Sequence, residues 1–157
     1  MTINLLFVED SEHKKNAITD FIDSQDLDIN LTFAASFSSA SKKIDHSNYD
    51  IVLLDLSLPT YDKSDIEPGG RFRTFGGREI ARKLLRKKLF TKIIFITQYV
   101  SFSDNNKFYT FESLKSELKN EFSVMFAGMI HYHSAKSAWK DELIKCIKDA
   151  FVANTNS

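Results

Sequence analysis

The sequence predicts an α/β fold, a doubly wound sandwich in which a five-stranded parallel sheet carries helices on both faces. Three observations predict it. Short apolar runs alternate five times with segments of helical period. Two of the runs, Ile51-Val52-Leu53-Leu54 and Ile93-Ile94-Phe95-Ile96, are apolar at every position, the habit of strands covered on both sides. Acidic or hydroxyl side chains end several of these runs, where open parallel sheets gather their reactive groups.

Each element follows from local pattern. Ile3 to Val8 is a buried strand stopped by Glu9-Asp10. Ala17, Ile18, Phe21 and Ile22 recur at helical spacing within Ser11 to Ile22. Leu27 to Ala34 alternates Ile29, Leu31 and Phe33 with polar residues, a strand with one wetter face. Ser38 caps a second helix reaching Ile44. Tyr49 to Asp55 is the central strand. A third helix runs from Arg78 to Lys88, and Lys92 to Thr97 is the fourth strand. Thr110 caps a helix to Asn120 that buries Phe111, Leu114 and Leu118. The fifth strand spans Met129 to Ser134, and a last helix, Ala138 to Val152, buries Leu143, Cys146 or Ile147, and Ala150. Thr60 to Gly77, which holds Pro68 and four of the five glycines, and Ser101 to Tyr109 are expected to be irregular loops.

Bulk composition narrows the class. A chain of 157 residues suits one domain, expected over 1–153 with a disordered polar tail at 154–157. It is 43% hydrophobic with 14 phenylalanines, enough for a packed core. A formal net charge of zero argues against a protein that coats nucleic acid. The single cysteine, Cys146, excludes an internal disulfide and fits a reducing, cytoplasmic setting. No apolar run has the length of a membrane span, and the N-terminal stretch ends in two acids, as a first strand does and a signal peptide does not.

The strand ends assemble a reactive set: Glu9-Asp10, Asp55, Thr97, and Lys136 after the fifth strand. Three carboxylates brought together repel one another, and a divalent cation relieves that repulsion. Oxygen ligands with retained water suit Mg²⁺ or Mn²⁺. Such a metal neutralises an incoming phosphoryl group and aligns it for attack by a carboxylate oxygen. Thr97 offers a hydroxyl donor and Lys136 a compact positive charge to the phosphoryl oxygens.

These residues resemble the receiver domain of two-component response regulators. The resemblance is carried by FVED at the end of the first strand, DIVLLDLSLP around Asp55, IIFIT at the fourth strand, and Lys136 seven residues before Leu143. It covers essentially the whole chain outside the two long loops and implies a flavodoxin-like, receiver-type sandwich. It implies that Glu9, Asp10, Asp55 and the backbone carbonyl of Ser57 bind Mg²⁺. Asp55 then takes a phosphoryl group from a sensor histidine kinase or phosphotransfer protein, and Thr97 with Tyr132 forms the switch toward a downstream protein target or a homodimer face. The expected activity is signalling, with at most slow autodephosphorylation.

The chain departs from the family's pattern in several places. An insertion around Tyr61–Arg73 delays the glycines that precede the third helix, here Gly76-Gly77. Gln98 follows Thr97 where a small residue is usual, and Ser137 follows Lys136 where proline is usual. Tyr132 lies one residue too far from Lys136, and His133 occupies the strict register. The segment from Ser101 to the fifth strand is longer than usual.

Other readings compete. A pseudo-receiver would use the same fold as a phosphate-independent interaction module. A Mg²⁺-dependent phosphohydrolase would want an acid where Ser57 stands, and a flavin site would want a phosphate loop that Ser11-Glu12-His13 does not supply. The cluster Arg71, Arg73, Arg78, Arg82, Lys83, Arg86, Lys87 and Lys88 reads as a solvated helix face. His13, His131 and His133 read as structural or surface residues.

Overall fold

The computed structural model describes residues 1–63, 69–87 and 90–155, with side chains to position 152. The chain opens with β1 (Ile3–Val8), α1 (Glu12–Asp23), β2 (Ile29–Ala34), α2 (Phe37–His46) and β3 (Ile51–Asp55). Two short strands follow, β4 (Leu58–Pro59) and β5 (Phe72–Arg73), and then α3 (Gly76–Arg86) and β6 (Lys92–Thr97). A second pair, β7 (Ser101–Asp104) and β8 (Lys107–Thr110), precedes α4 (Phe111–Phe122), β9 (Phe126–His131) and α5 (Ala138–Thr155).

The five long strands form one parallel sheet in the order β2-β1-β3-β6-β9. The chain winds outward from β1 in one direction and from β3 in the other. The reversal falls between these two strands, where a crevice opens at their carboxyl ends. Both faces are covered. Leu5, Phe7, Leu53, Ile94, Ile96 and Ile130 pack under α1 and α5, and Trp139 completes that layer. Val8, Val52, Leu54, Ile93, Phe95 and Met129 pack on the opposite side under α2, α3 and α4. This two-sided burial is why the central strands read as unbroken apolar runs.

Several expectations are corrected. The two segments expected to be irregular each hold an antiparallel pair, β4 with β5 and β7 with β8. The first is docked on α2: the Ser38 N–H donates to the Thr60 carbonyl at 2.9 Å, and the Arg73 guanidinium lies over the Phe37 ring. Pro68 and the other residues at 64–68 lie outside the described residues. The second pair turns through Asn105 and Asn106, both left-handed at φ 49° and 66°, which asparagine tolerates better than other side-chain-bearing residues. Phe75 joins the two insertions, its ring 5.4 Å from Tyr109 and 6.1 Å from Phe102.

The second helix is capped by Ser36, not Ser38, because Ser36 and Ser39 close a reciprocal capping box. Thr110 caps α4 as expected, again with a serine three residues on. Strand β9 begins three residues before the expected Met129, since Phe126 already packs against Phe95, and it ends at His131. The last helix runs to Thr155, two residues into the expected tail; 156–157 lie outside the described residues. The third helix starts two residues early, at Gly76, and the expected end at Lys88 lies outside the described residues.

Candidate functional site

Glu9, Asp10 and Asp55 converge in the crevice between the carboxyl ends of β1 and β3, each offering a carboxylate oxygen within 4.8 Å of the others. Among the described residues they are the sole group of three acidic, histidine or cysteine side chains placed to share a cation. The parallel register accounts for it: Val8 pairs with Leu54, so the next residue on each strand stands at the same height. Glu9 is held in place by the Ser11 N–H, which donates to its Oε2 at 3.1 Å. Asp55 accepts from the Ser57 N–H at 3.3 Å.

The loop after Asp55 is fixed tightly. The Ser57 hydroxyl donates to the Thr74 carbonyl at 2.9 Å. The Gly77 N–H donates to the Leu56 carbonyl at 2.9 Å, and its α-carbon lies so close to Asp55 that a β-carbon would overlap the Asp55 carbonyl. The pair Gly76-Gly77, expected to precede the helix, forms its first turn and brings the start of α3 onto the site.

Lys14 is the residue that sequence reasoning missed. Its ammonium lies 2.7 Å from Glu9 Oε1 and 3.6 Å from Asp55 Oδ2, and the residue is only 2% exposed. A signal for it was present. Lys14, Ile18 and Ile22 sit at i, i+4 and i+8 on α1 and are that helix's buried stripe, so the lysine is aimed at the acids by the same period that packs the isoleucines.

Burial pulls the Lys14 pKa down, but the charges of Asp55 and Glu9 outweigh it and hold the ammonium above its ordinary value. Asp55 is pushed well above the usual carboxylate range, chiefly by burial, with Glu9 adding to the rise and Lys14 opposing it. Three acids meet the buried Lys14 and the exposed Lys63, which lies 3.5 Å from Asp10, and this leaves the crevice short of positive charge. Its oxygen donors suit a hard divalent ion, so the residues present fit Mg²⁺.

The other expected residues take different places. Thr97 is fully buried at the end of β6, one position beyond the residue that pairs with Asp55, and its Oγ1 accepts from the Tyr99 N–H at 3.1 Å. Lys136 is exposed in the turn after β9, where its N–H donates to the His133 carbonyl, and among the described residues its side chain makes no ion pair with the acids. Tyr132 is linked to Thr97 through its N–H, which donates to the Thr97 carbonyl at 2.8 Å. Its ring lies on the α1/α5 side, 5.1 Å from Trp139 and 5.8 Å from the Lys14 ammonium. His131, next to it in the chain, turns the other way and lies edge-on to Phe111 of α4 at 6.1 Å. Gln98 is exposed and, with Ser11, His13, Lys14, Tyr132, His133 and Ser134, lines a cleft of about 220 Å³. The basic helix face is largely paired: Arg78 meets Glu117 and Glu121, Arg82 meets Glu121, and Lys83 and Lys87 meet Asp45.

No protein-family model matches the sequence. The chain is 25% identical over 149 residues to the Detocs response regulatory protein DtcB of Enterobacter cloacae, covering 94% of this chain and 99% of that one. It is 26% identical over 137 residues to the uncharacterized protein y4jR of Sinorhizobium fredii, covering 86% and 90%. Among solved structures it superposes on the receiver domain of a LuxO repressor homologue from Vibrio parahaemolyticus, with a TM-score of 0.66 at 15% identity over 100% of this chain and 98% of that one. It also superposes on the Thermotoga maritima response regulator TrrA in complex with Mg²⁺-BeF, with a TM-score of 0.62 at 23% identity over 94% and 98%. No described helix is long and apolar enough to cross a membrane.

Proposed function

From its receiver-domain fold, we propose that this chain is the phosphoacceptor of a phosphorelay, taking a phosphoryl group onto Asp55 and changing its affinity for a protein partner as a result. The observation that carries the proposal is the convergence of Glu9, Asp10 and Asp55 within 4.8 Å at the crevice of the sheet. Glu9, Asp10, Asp55 and the Ser57 carbonyl would hold Mg²⁺, which supplies charge neutralisation and alignment when bound. The response regulator TrrA, solved with Mg²⁺-BeF, supports this choice of ion. The donor would be a phosphohistidine on a sensor kinase or phosphotransfer protein.

The chain's own groups divide the work. Asp55 is the nucleophile, and its burial keeps water away from the acyl phosphate it would form. Thr97 would exchange its bond from the Tyr99 N–H for one donated to a phosphoryl oxygen. That movement would reach the output surface through the Tyr132 N–H and the β7–β8 pair that follows Thr97. The switch is thus assigned to Thr97 and Tyr132. The Tyr132 ring faces Lys14 and Trp139, so it would respond to what happens at the acids.

One observation favours a second reading. The Lys14 ammonium already neutralises part of the acidic set, as a phosphate-independent interaction module would need. The deciding experiment treats the protein with acetyl phosphate and Mg²⁺ and measures intact mass at once. A single phosphoryl adduct, absent in Asp55→Asn, is the expected result. Metal binding without any adduct would replace the phosphoacceptor by the interaction module.

A further inference from the structure

We propose that Lys14, and not Lys136, is the cation that receives the phosphoryl oxygens at Asp55. The inference rests on the phosphoacceptor reading and names a residue for it that the sequence pattern does not.

Lys14 is placed for the task and Lys136 is not. The Lys14 ammonium is buried beside both Glu9 and Asp55, while Lys136 is exposed and pairs with neither acid. The 2.7 Å approach of Lys14 to Glu9 is an ion pair that falls short of hydrogen-bond geometry, and among the described residues neither Lys14 Nζ nor Glu9 Oε1 has a hydrogen-bond partner. A buried ammonium carries three donors, and leaving them unspent is costly. The position is also one where helix packing alone would place an apolar side chain, since Ile18 and Ile22 continue the same stripe. An oxygen ligand arriving at Asp55 would satisfy those donors. The cleft bordered by Ser11, His13, Gln98 and His133 opens onto Lys14 from solvent and gives such a ligand a route in.

The transfer step shows why the cation is wanted. An Asp55 carboxylate oxygen forms a bond to phosphorus as the donor's P–N bond breaks. The bonding pair leaves on the donor nitrogen, which takes up a proton. The phosphoryl group on Asp55 then carries two negative charges beside those of Glu9 and Asp10. A divalent ion offsets two of these four, and Lys14 a third. The exposed Lys63, 3.5 Å from Asp10, offsets the fourth. With a neutral residue at position 14, one negative charge would remain uncompensated in a buried crevice.

The same ion pair ties up Glu9, so Lys14 has two opposite effects that a purely structural lysine would not have. It competes with the metal for Glu9 before transfer, and it holds the phosphoryl group afterwards.

The test compares the full chain with Lys14→Met and Lys136→Met by calorimetric titration. Mn²⁺ is titrated alone, and beryllofluoride is then titrated in saturating Mg²⁺. Phosphoramidate with Mg²⁺ and intact-mass analysis gives the rate of adduct formation. Lys14→Met should bind Mn²⁺ as tightly as the parent or up to tenfold tighter, yet lose tenfold or more in beryllofluoride affinity and in adduct rate. Lys136→Met should stay within twofold of the parent in all three. Loss of beryllofluoride affinity in Lys136→Met with retention in Lys14→Met would overturn the proposal.

If Lys14→Met does not fold, the parent protein decides. On adding beryllofluoride, the slowly exchanging lysine ammonium signal in a ¹⁵N spectrum should shift, and its remaining unchanged would overturn the assignment. A parent chain that takes neither beryllofluoride nor a phosphoryl group would refute the phosphoacceptor reading itself, and the assignment with it.

Discussion

Gly77 and Asp55 touch backbone to backbone: the first turn of α3 sits directly on the carbonyl of the last residue of β3, with no room for a side chain between them. The neighbouring Gly76 is less confined, since a β-carbon there would meet the Leu58 and Arg73 β-carbons at 3.1 and 3.2 Å. Gly77→Ala should therefore force α3 off the site and cost about 3 kcal/mol, the upper end for overpacking. Gly76→Ala should stay within about 1 kcal/mol of the parent, because helix propensity offsets the crowding. Urea denaturation of both variants checks the pair, and similar midpoints would count against this packing.

The acidic cluster makes a prediction about metal. Mg²⁺ at about a hundredfold over its dissociation constant should add about 2.7 kcal/mol to stability. In a chain of this size that raises the melting temperature by roughly 5–10 °C. Asp10→Asn should abolish the rise, because it removes one of the three converging oxygens. A thermal melt with and without the ion, on both proteins, measures it. An undiminished rise in Asp10→Asn would place the metal elsewhere.

Arg78 bridges α3 to α4 with its side chain largely buried, 2.8 Å from Glu117 and 3.1 Å from Glu121. Partial burial pushes both carboxyls up, but Arg78 together with Arg82 at Glu121, and with Lys107 at Glu117, holds them below the usual range. A carboxyl lowered on folding contributes stability that is present above its ordinary value and lost as pH falls through the lowered one. Arg78→Met should cost about 1–2 kcal/mol at pH 7, where both glutamates are exposed enough for solvent to temper the pair. The difference between parent and variant should shrink on acidification below pH 4. Chemical denaturation at pH 7 and pH 3 reads the change, and a difference that grows in acid would contradict the assignment.

The turn between β7 and β8 depends on two left-handed asparagines. Asn106→Gly should leave the hairpin intact or firmer, while Asn106→Val should loosen it by about 1–2 kcal/mol. Hydrogen exchange at the β7 and β8 amides distinguishes them. Equal protection in both variants would show that the turn does not hold the pair.

Legibility in the sequence followed the range of the interaction. The alternation of strand and helix was readable because burial on two faces leaves continuous apolar runs, as in β3 and β6. The Thr110 cap was readable because its partner is three residues away. The same local chemistry makes Ser36 the cap of α2, with Ser39 three residues on, while Ser38 lies inside the helix. The hairpins were missed because each strand is four residues or fewer and the apolar contacts run between the two insertions, through Phe75, Phe102 and Tyr109.

By itself the sequence determined the class of fold and that Glu9, Asp10 and Asp55 stand at one edge of the sheet. Parallel strands laid side by side carry their end residues to the same height, so order along the chain is enough. Only the tertiary structure decided which lysine is buried among those acids. A side chain's reach depends on how its helix is rotated against the sheet, and that rotation is set by Ile18 and Ile22 seeking the core, which turned Lys14 inward while Lys136 was left in a solvent-exposed turn.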